Sequence, residues 1–367
     1  MASYRTKVQR DISRWREAGL IDDATARALS FDAERNSGAP VSFGAVLALL
    51  AAALLAAAVI IFVAANWQAL PRLARVGMLF SLILAGYVGG AVLRLSGREA
   101  AGEGAYVVAA AGFGAAIALI AQIYHMSGDE AQAVLVWGAG TAFAAAALRS
   151  GALNAGAALL AGAWLLTSTF QGRGLSGLPL SYPFVAAALY ALSFWTGSRL
   201  SRHLLLLSVY LFVALAYWRD ETSFAAPLLL AGAAAAVFAA ARLYPAQAAR
   251  LSGLGAGLPV QALAAFLAGV GTVQMALVDE PGFAFPSALA FAGIVAALLV
   301  AGRDNRALRW FAYAAFAFNL CFVYVVMLGT MIDTAAFFLV AGLTLALLAW
   351  LIARFERRIA GARGMAS

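Results

Sequence analysis

His125 and Asp129 stand four residues apart, a spacing that puts an imidazole and a carboxylate on one helix face. There they could act as a general base and the group that orients it. Gln122 and Tyr124 lie just before them, and a second polar pair, Asn66 and Trp67, closes an earlier apolar stretch. Amide, indole, phenol, imidazole and carboxylate groups ending at one depth could hold a small ligand by hydrogen bonds and ring contacts. Asn66, Trp67, Gln122, Tyr124, His125 and Asp129 therefore form the candidate substrate-binding set. The plainer reading is that the amides tie helices together and that the aromatic and imidazole rings populate an interfacial belt.

Other chemistry has little support. One histidine with one nearby carboxylate falls short of the three or four ligands that zinc takes, and the single Cys321 allows neither a disulfide within the chain nor a thiolate cluster. Within an apolar stretch it is expected to pack as a small hydrophobe. No HExxH, P-loop, nucleophile elbow or dinucleotide fingerprint follows a strand pattern. No catalytic residue, metal site or cofactor is expected. The acidic pairs Asp129-Glu130, Asp220-Glu221 and Asp279-Glu280, with Asp333, could gather cations or weakly hold calcium or magnesium, or could simply solvate short turns.

The elements that carry these residues follow from composition. Of 367 residues, 64% are hydrophobic and 11% charged, against roughly a quarter charged in soluble domains. With a mean hydropathy of +0.88, the chain cannot cover a water-facing surface, so the bilayer is its solvent. About 20 residues cross the hydrocarbon. Apolar stretches run over 43–65, 73–93, 105–124, 131–148, 151–170 and 180–197, then over 204–218, 224–241, 258–278, 285–302, 307–328 and 334–353. The expected fold is all-α, a polytopic membrane bundle of about twelve helices, with the 15-residue stretch 204–218 as its thinnest span. Small residues at four-residue spacing, Gly86/Gly90 and Ala265/Gly269, predict close helix packing. Asn154, Gln261, Gln274 and Asn319 are expected to hydrogen-bond between helices.

Charge sets the expected orientation. With the N-terminus in the cytoplasm, 21 of the 25 basic residues fall on the inner side, as the positive-inside rule requires. The net charge of +8 therefore reads as topology, and no nucleic-acid partner is expected. Both termini are expected in the cytoplasm of a bacterial inner-membrane protein. No cleavable leader is expected, because about 40 charged and mixed residues precede the first apolar run.

Those leading residues form a unit of their own. Tyr4, Val8, Ile12 and Trp15 make an apolar stripe, Gly19 stops the helix, and Asp22 or Asp23 can cap a second one through Arg35. The expected organisation is a cytoplasmic helical hairpin and linker over 1–40, a four-helix membrane unit over 41–150, an eight-helix unit over 151–354 and a cytoplasmic tail over 355–367. The hairpin could dock a protein partner or a membrane surface.

Three motifs in order are familiar: Trp15-Arg-Glu-Ala-Gly19-Leu-Ile, Phe62-Val-Ala-Ala-Asn66-Trp67, and Ala121-Gln122-Ile-Tyr124-His125 with Gly128-Asp129. Over about residues 8–150 the chain resembles the bacterial membrane proteins grouped as domain of unknown function 2157. The resemblance implies a multi-pass bacterial membrane protein and no particular activity. From the residues, the first expectation is transport or permeation of a small or lipidic substrate through an outward-facing polar site. The alternatives are a membrane scaffold or envelope-stress sensor acting through the hairpin, and an enzyme on lipid-linked substrates.

Overall fold

The computed structural model describes residues 4–36, 71–123, 128–171, 177–302 and 304–329, with 54, 342, 343 and 346 as isolated positions. The chain divides into two units, residues 1–75 and 76–367.

In the first unit α1 (Tyr4–Glu17) ends where Gly19 takes φ +68°, and α2 (Asp23–Asn36) returns against it. Asp22 is the residue that caps α2: its carboxylate accepts the Thr25 amide at 3.0 Å. The Thr25 hydroxyl and then its amide hold the Asp22 carboxyl below its ordinary range. Ile12 and Ala26 are buried between the helices, whereas Trp15 of the expected apolar stripe is 38% exposed.

All regular structure among the second unit's described residues is helical. Its helices are α3 (Arg72–Leu95, whose first turn precedes the unit boundary), α4 (Glu99–Ile123), α5 (Glu130–Leu148), α6 (Gly151–Phe170), α7 (Tyr182–Thr196) and α8 (Arg199–Asp220). They continue with α9 (Ala225–Leu243), the short α10 (Pro245–Ser252), α11 (Leu258–Ala276), α12 (Ala284–Ala301) and α13 (Arg306–Gly329). Among the described residues, nine helices are long and apolar enough to cross a membrane, and α7 is apolar but shorter. The expected spans 43–65 and 334–353 lie outside the described residues.

Two expected boundaries move. The stretch 204–218 belongs to a 22-residue helix, because Ser198 caps α8 by accepting the Ser201 amide and starts it at Arg199. Arg202 and His203 thereby fall inside the helix rather than before it. Similarly, α4 begins at Glu99, six residues before its apolar run, and takes Glu103 into its second turn.

Small side chains set the packing. The most extensive contacts join α9 to α11 and α5 to α6. Gly269 of α11 leaves room for the Pro227 carbonyl and Ala231 of α9, and Gly114 of α4 lies under the Trp137 ring of α5. The Trp137 indole then donates to the Ala110 carbonyl at 2.8 Å. Gly86 and Gly90 of α3 receive Ala109 and Tyr106 of α4 in the same way. The largest core cluster gathers Trp164 and Leu165 of α6, Tyr182 of α7 and Leu205 of α8. Cys321 departs from expectation: it is exposed on α13, a position that an uncharged thiol tolerates when lipid rather than water is outside.

Candidate functional site

Polar side chains gather at both ends of the second unit. At the end where α5 begins and α6 finishes, Asp129 caps α5, its carboxylate accepting the Ala131 amide at 2.8 Å and the Gln132 amide at 3.3 Å. The Gln171 side chain also hydrogen-bonds this carboxylate and, with those amides, holds its pKa below the ordinary carboxylate range against a small opposing effect of burial. These groups line a groove of about 420 Å³ with Trp164, Ser168, Gly177 and Pro179.

The groove owes its shape to a break in helical structure. Before α7 the chain runs through Gly177, Leu178 and Pro179 without regular structure, and Leu178 is buried in the core cluster. A Cβ at Gly177 would overlap the Ser168 carbonyl oxygen, so the backbones touch there. Leu178 is thus buried in protein while Gly177 and Pro179 line the groove. Beneath it Trp164, Tyr182 and Phe212 form an aromatic stack, with Tyr182 fully buried.

The opposite end carries a continuous belt of hydrogen bonds from α3 to α13. Arg94 of α3 donates to the Leu148 carbonyl at 2.8 Å and lies 3.6 Å from Glu103 of α4. One Glu103 oxygen accepts both the Ser150 hydroxyl and the Ala152 amide, so a carboxylate from α4 satisfies the start of α6. Arg149, left-handed at φ 47°, stacks on Trp195. Asn154, fully buried, donates to Thr196 at 3.2 Å, and Ser201 donates to the Asn154 carbonyl.

Arg202 is 6% exposed, and every branch of its guanidinium is used. Nε and Nη2 donate to the hydroxyl and carbonyl of Ser193, and Nη1 donates to the Gly253 carbonyl. Next to it, His203 Nδ1 accepts from the Gln261 amide at 2.8 Å, while Tyr210 donates to the Gln261 side-chain oxygen. That polarity places the imidazole proton on Nε2. Asn305 and the Arg242–Asp304 pair close the belt near α13.

Of the six residues expected from sequence, the structure describes two. Gln122 is exposed on the last turn of α4, and Asp129 is exposed at the start of α5. Asn66, Trp67, Tyr124 and His125 lie outside the described residues. Asp129 is the N-cap of α5. Gln274 bonds Ser287 between α11 and α12, and Asn154 and Gln261 also bond between helices, as amides at membrane depth should. Asn319 is buried with its Nδ2 unpartnered among the described residues.

Sequence reading passed over Gln132, Trp164 and Gln171 in the groove, and Arg94, Glu103 and Arg202 in the belt. The signal for the first group was the Gly/Pro joint around Pro179, which displaces a helix start. For Glu103 it was the wrong helix boundary. Among the described residues no three His, Cys, Asp or Glu side chains come together to hold a metal ion, and the acidic pairs stay in separate turns.

Neither a curated protein nor a solved structure matches the chain. A family model does. Residues 13–154 match the family described as predicted membrane protein (DUF2157).

Proposed function

We propose that this multi-span membrane protein binds a small or lipidic substrate at the Asp129 end of the bundle and passes it into or across the bilayer. The observation that carries this reading is the groove in which Asp129, Gln132, Ser168 and Gln171 stand beside the irregular backbone at Gly177 and Pro179. A purely structural bundle gains nothing from such a break. The positive-inside rule makes the arginine-rich belt cytoplasmic and turns the groove outward. In this reading the bundle has about twelve spans in a bacterial inner membrane, with units over 41–150 and 151–354, both termini cytoplasmic and the 1–40 hairpin free to meet a partner. Gln122, exposed on the last turn of α4, is a further candidate group in this reading.

The test is solute entry into proteoliposomes containing the full chain, followed by light scattering in iso-osmotic glucose, glycine, choline and glycerol. Entry of at least one solute above protein-free vesicles, reduced by Ser168→Trp, supports the reading. Vesicles that match the protein-free control for every solute reject it.

A second reading, a scaffold or stress sensor acting through the hairpin, draws on the closed packing of α5 on α6 and of α9 on α11. Deleting residues 1–38 distinguishes the two, because a sensor loses its output while the inserted bundle remains folded.

A further inference from the structure

We propose that the groove between α9 and α12, floored by α11, seats an anionic phospholipid, with one acyl chain in the groove and the phosphate on Arg242. The groove encloses about 390 Å³ and is lined by Phe238 and Ala239 from α9, Phe266 from α11, and Gly293 and Ala296 from α12, among others. Arg242, at one end, is the one polar side chain among its lining residues. Small residues create the space. Gly293 lacks the Cβ that would strike the Phe266 ring, so the ring fits against α12 as floor while Ala239 and Ala296 keep the banks low.

Dimensions select a lipid over a helix. From Ala234 to Arg242 the groove follows nine residues of α9, eight rises of 1.5 Å or about 12 Å. One leaflet of hydrocarbon is about 15 Å deep, half of the roughly 30 Å core. The apolar trough therefore spans a single leaflet and ends at a cation where that leaflet's headgroups lie. A transmembrane helix from a second copy would need a face running through both leaflets.

Charge selects the headgroup. Arg242 pairs with Asp304 at 3.0 Å across the open end of the groove, joining α9 to the connection after α12. Both side chains are more than half exposed. Among the described residues Asp304 engages Nη1 alone, leaving the other guanidinium donors toward the headgroup layer. Arg250, Arg306 and Arg309 stand at the same end of the bundle, so the local balance remains cationic. A phosphodiester takes a guanidinium in the two-pronged geometry that a zwitterionic headgroup partly cancels with its own cation.

The test is native mass spectrometry of the delipidated full chain titrated with phosphatidylglycerol or phosphatidylcholine of identical acyl chains. Phosphatidylglycerol should be retained at about tenfold lower concentration, the scale of one charge-assisted hydrogen bond. R242Q should remove that preference, and A239F and A296F should displace both lipids. L229F, on the exposed half of α9 away from the groove, should change nothing. D304N frees Arg242 and should tighten phosphatidylglycerol about threefold, a gain that no folding defect produces. Equal retention of the two lipids, an undiminished preference in R242Q, or weaker binding in D304N would overturn the proposal.

Discussion

Glu103 on α4 and Ser150 at the start of α6 share a hydrogen bond, and the same carboxylate oxygen takes the Ala152 amide 3.1 Å away. One side chain therefore caps a helix other than its own, while Arg94 from a third helix balances its charge. Glu103→Ala leaves the Ser150 hydroxyl and the Ala152 amide without their acceptor at a half-buried site, at a cost of about 2 kcal/mol. Thermal unfolding in detergent should show the loss. A double-mutant cycle with Arg94→Ala should give a coupling of about 1 kcal/mol, and strict additivity would mean that the two groups act separately.

Arg202 and Gly253 form a second dependent pair. Gly253 holds φ +64°, and a Cβ there would overlap the Arg202 guanidinium. Gly253→Ala thus strains the backbone and displaces the donor to its own carbonyl. Arg202→Leu strands the Gly253 carbonyl and takes a donor from the Ser193 hydroxyl. Each substitution should cost about 2 to 4 kcal/mol, and the double variant should cost clearly less than the sum, as read from unfolding curves.

The Asp129 carboxyl, held low by Gln171 and the α5 amides, sets a pH dependence with a definite sign. A depressed folded pKa contributes stability that is fully present above the ordinary carboxylate value and fades as pH falls through the folded value. Wild type should therefore exceed Asp129→Asn in thermal stability at neutral pH, and the gap should close in acid. In Gln171→Ala the gap at neutral pH should be smaller and its closure complete at higher pH, because the largest influence lowering the carboxyl is gone. A gap independent of pH would contradict this account.

Gly269 sits where the Pro227 carbonyl and Ala231 leave no room for a side chain. Gly269→Leu should push α9 off α11 and destabilise the bundle by about 1 to 3 kcal/mol, whereas Gly232→Leu, with open space around it, should be tolerated. Comparable losses at both positions would deny that close approach governs this interface.

Orientation can be read with two single cysteines in a Cys321→Ala background. Ser96→Cys lies beside the arginine-rich end and Ser223→Cys beside an acidic turn, both at exposed positions. In intact cells a membrane-impermeant maleimide should label position 223 and spare 96, the reverse pattern inverting the proposed topology.

Helix class was legible in the sequence because an uncharged run of 18 or more residues has one solution in a bilayer. Helix starts were not, because they depend on caps: Ser198 moves α8 back to Arg199, and α4 begins at Glu99 with charged side chains still ahead of its apolar run. An arginine or glutamate at such a position looks like loop until its partners are known, and those partners, Ser193 and Gly253 for Arg202 or Ser150 for Glu103, lie 9 to 51 residues away. The same limit hid Gln171 and Trp164, whose roles arise only when the segment before α7 folds in beside them. Asp129 was legible as a chemical group, but its cap role depends on where α4 stops.

The 15 residues of α7 rise only about 22 Å, although they link the Asp129 end of the bundle to the arginine-rich end. A full hydrocarbon core is roughly 30 Å thick. Lipid touching Phe184 and Trp195, the exposed rings near its two ends, meets a protein wall several ångströms too short and must compress to match it. The molecule therefore carries a built-in preference for thin bilayer along one flank, and a thicker membrane would work against its insertion from that side first.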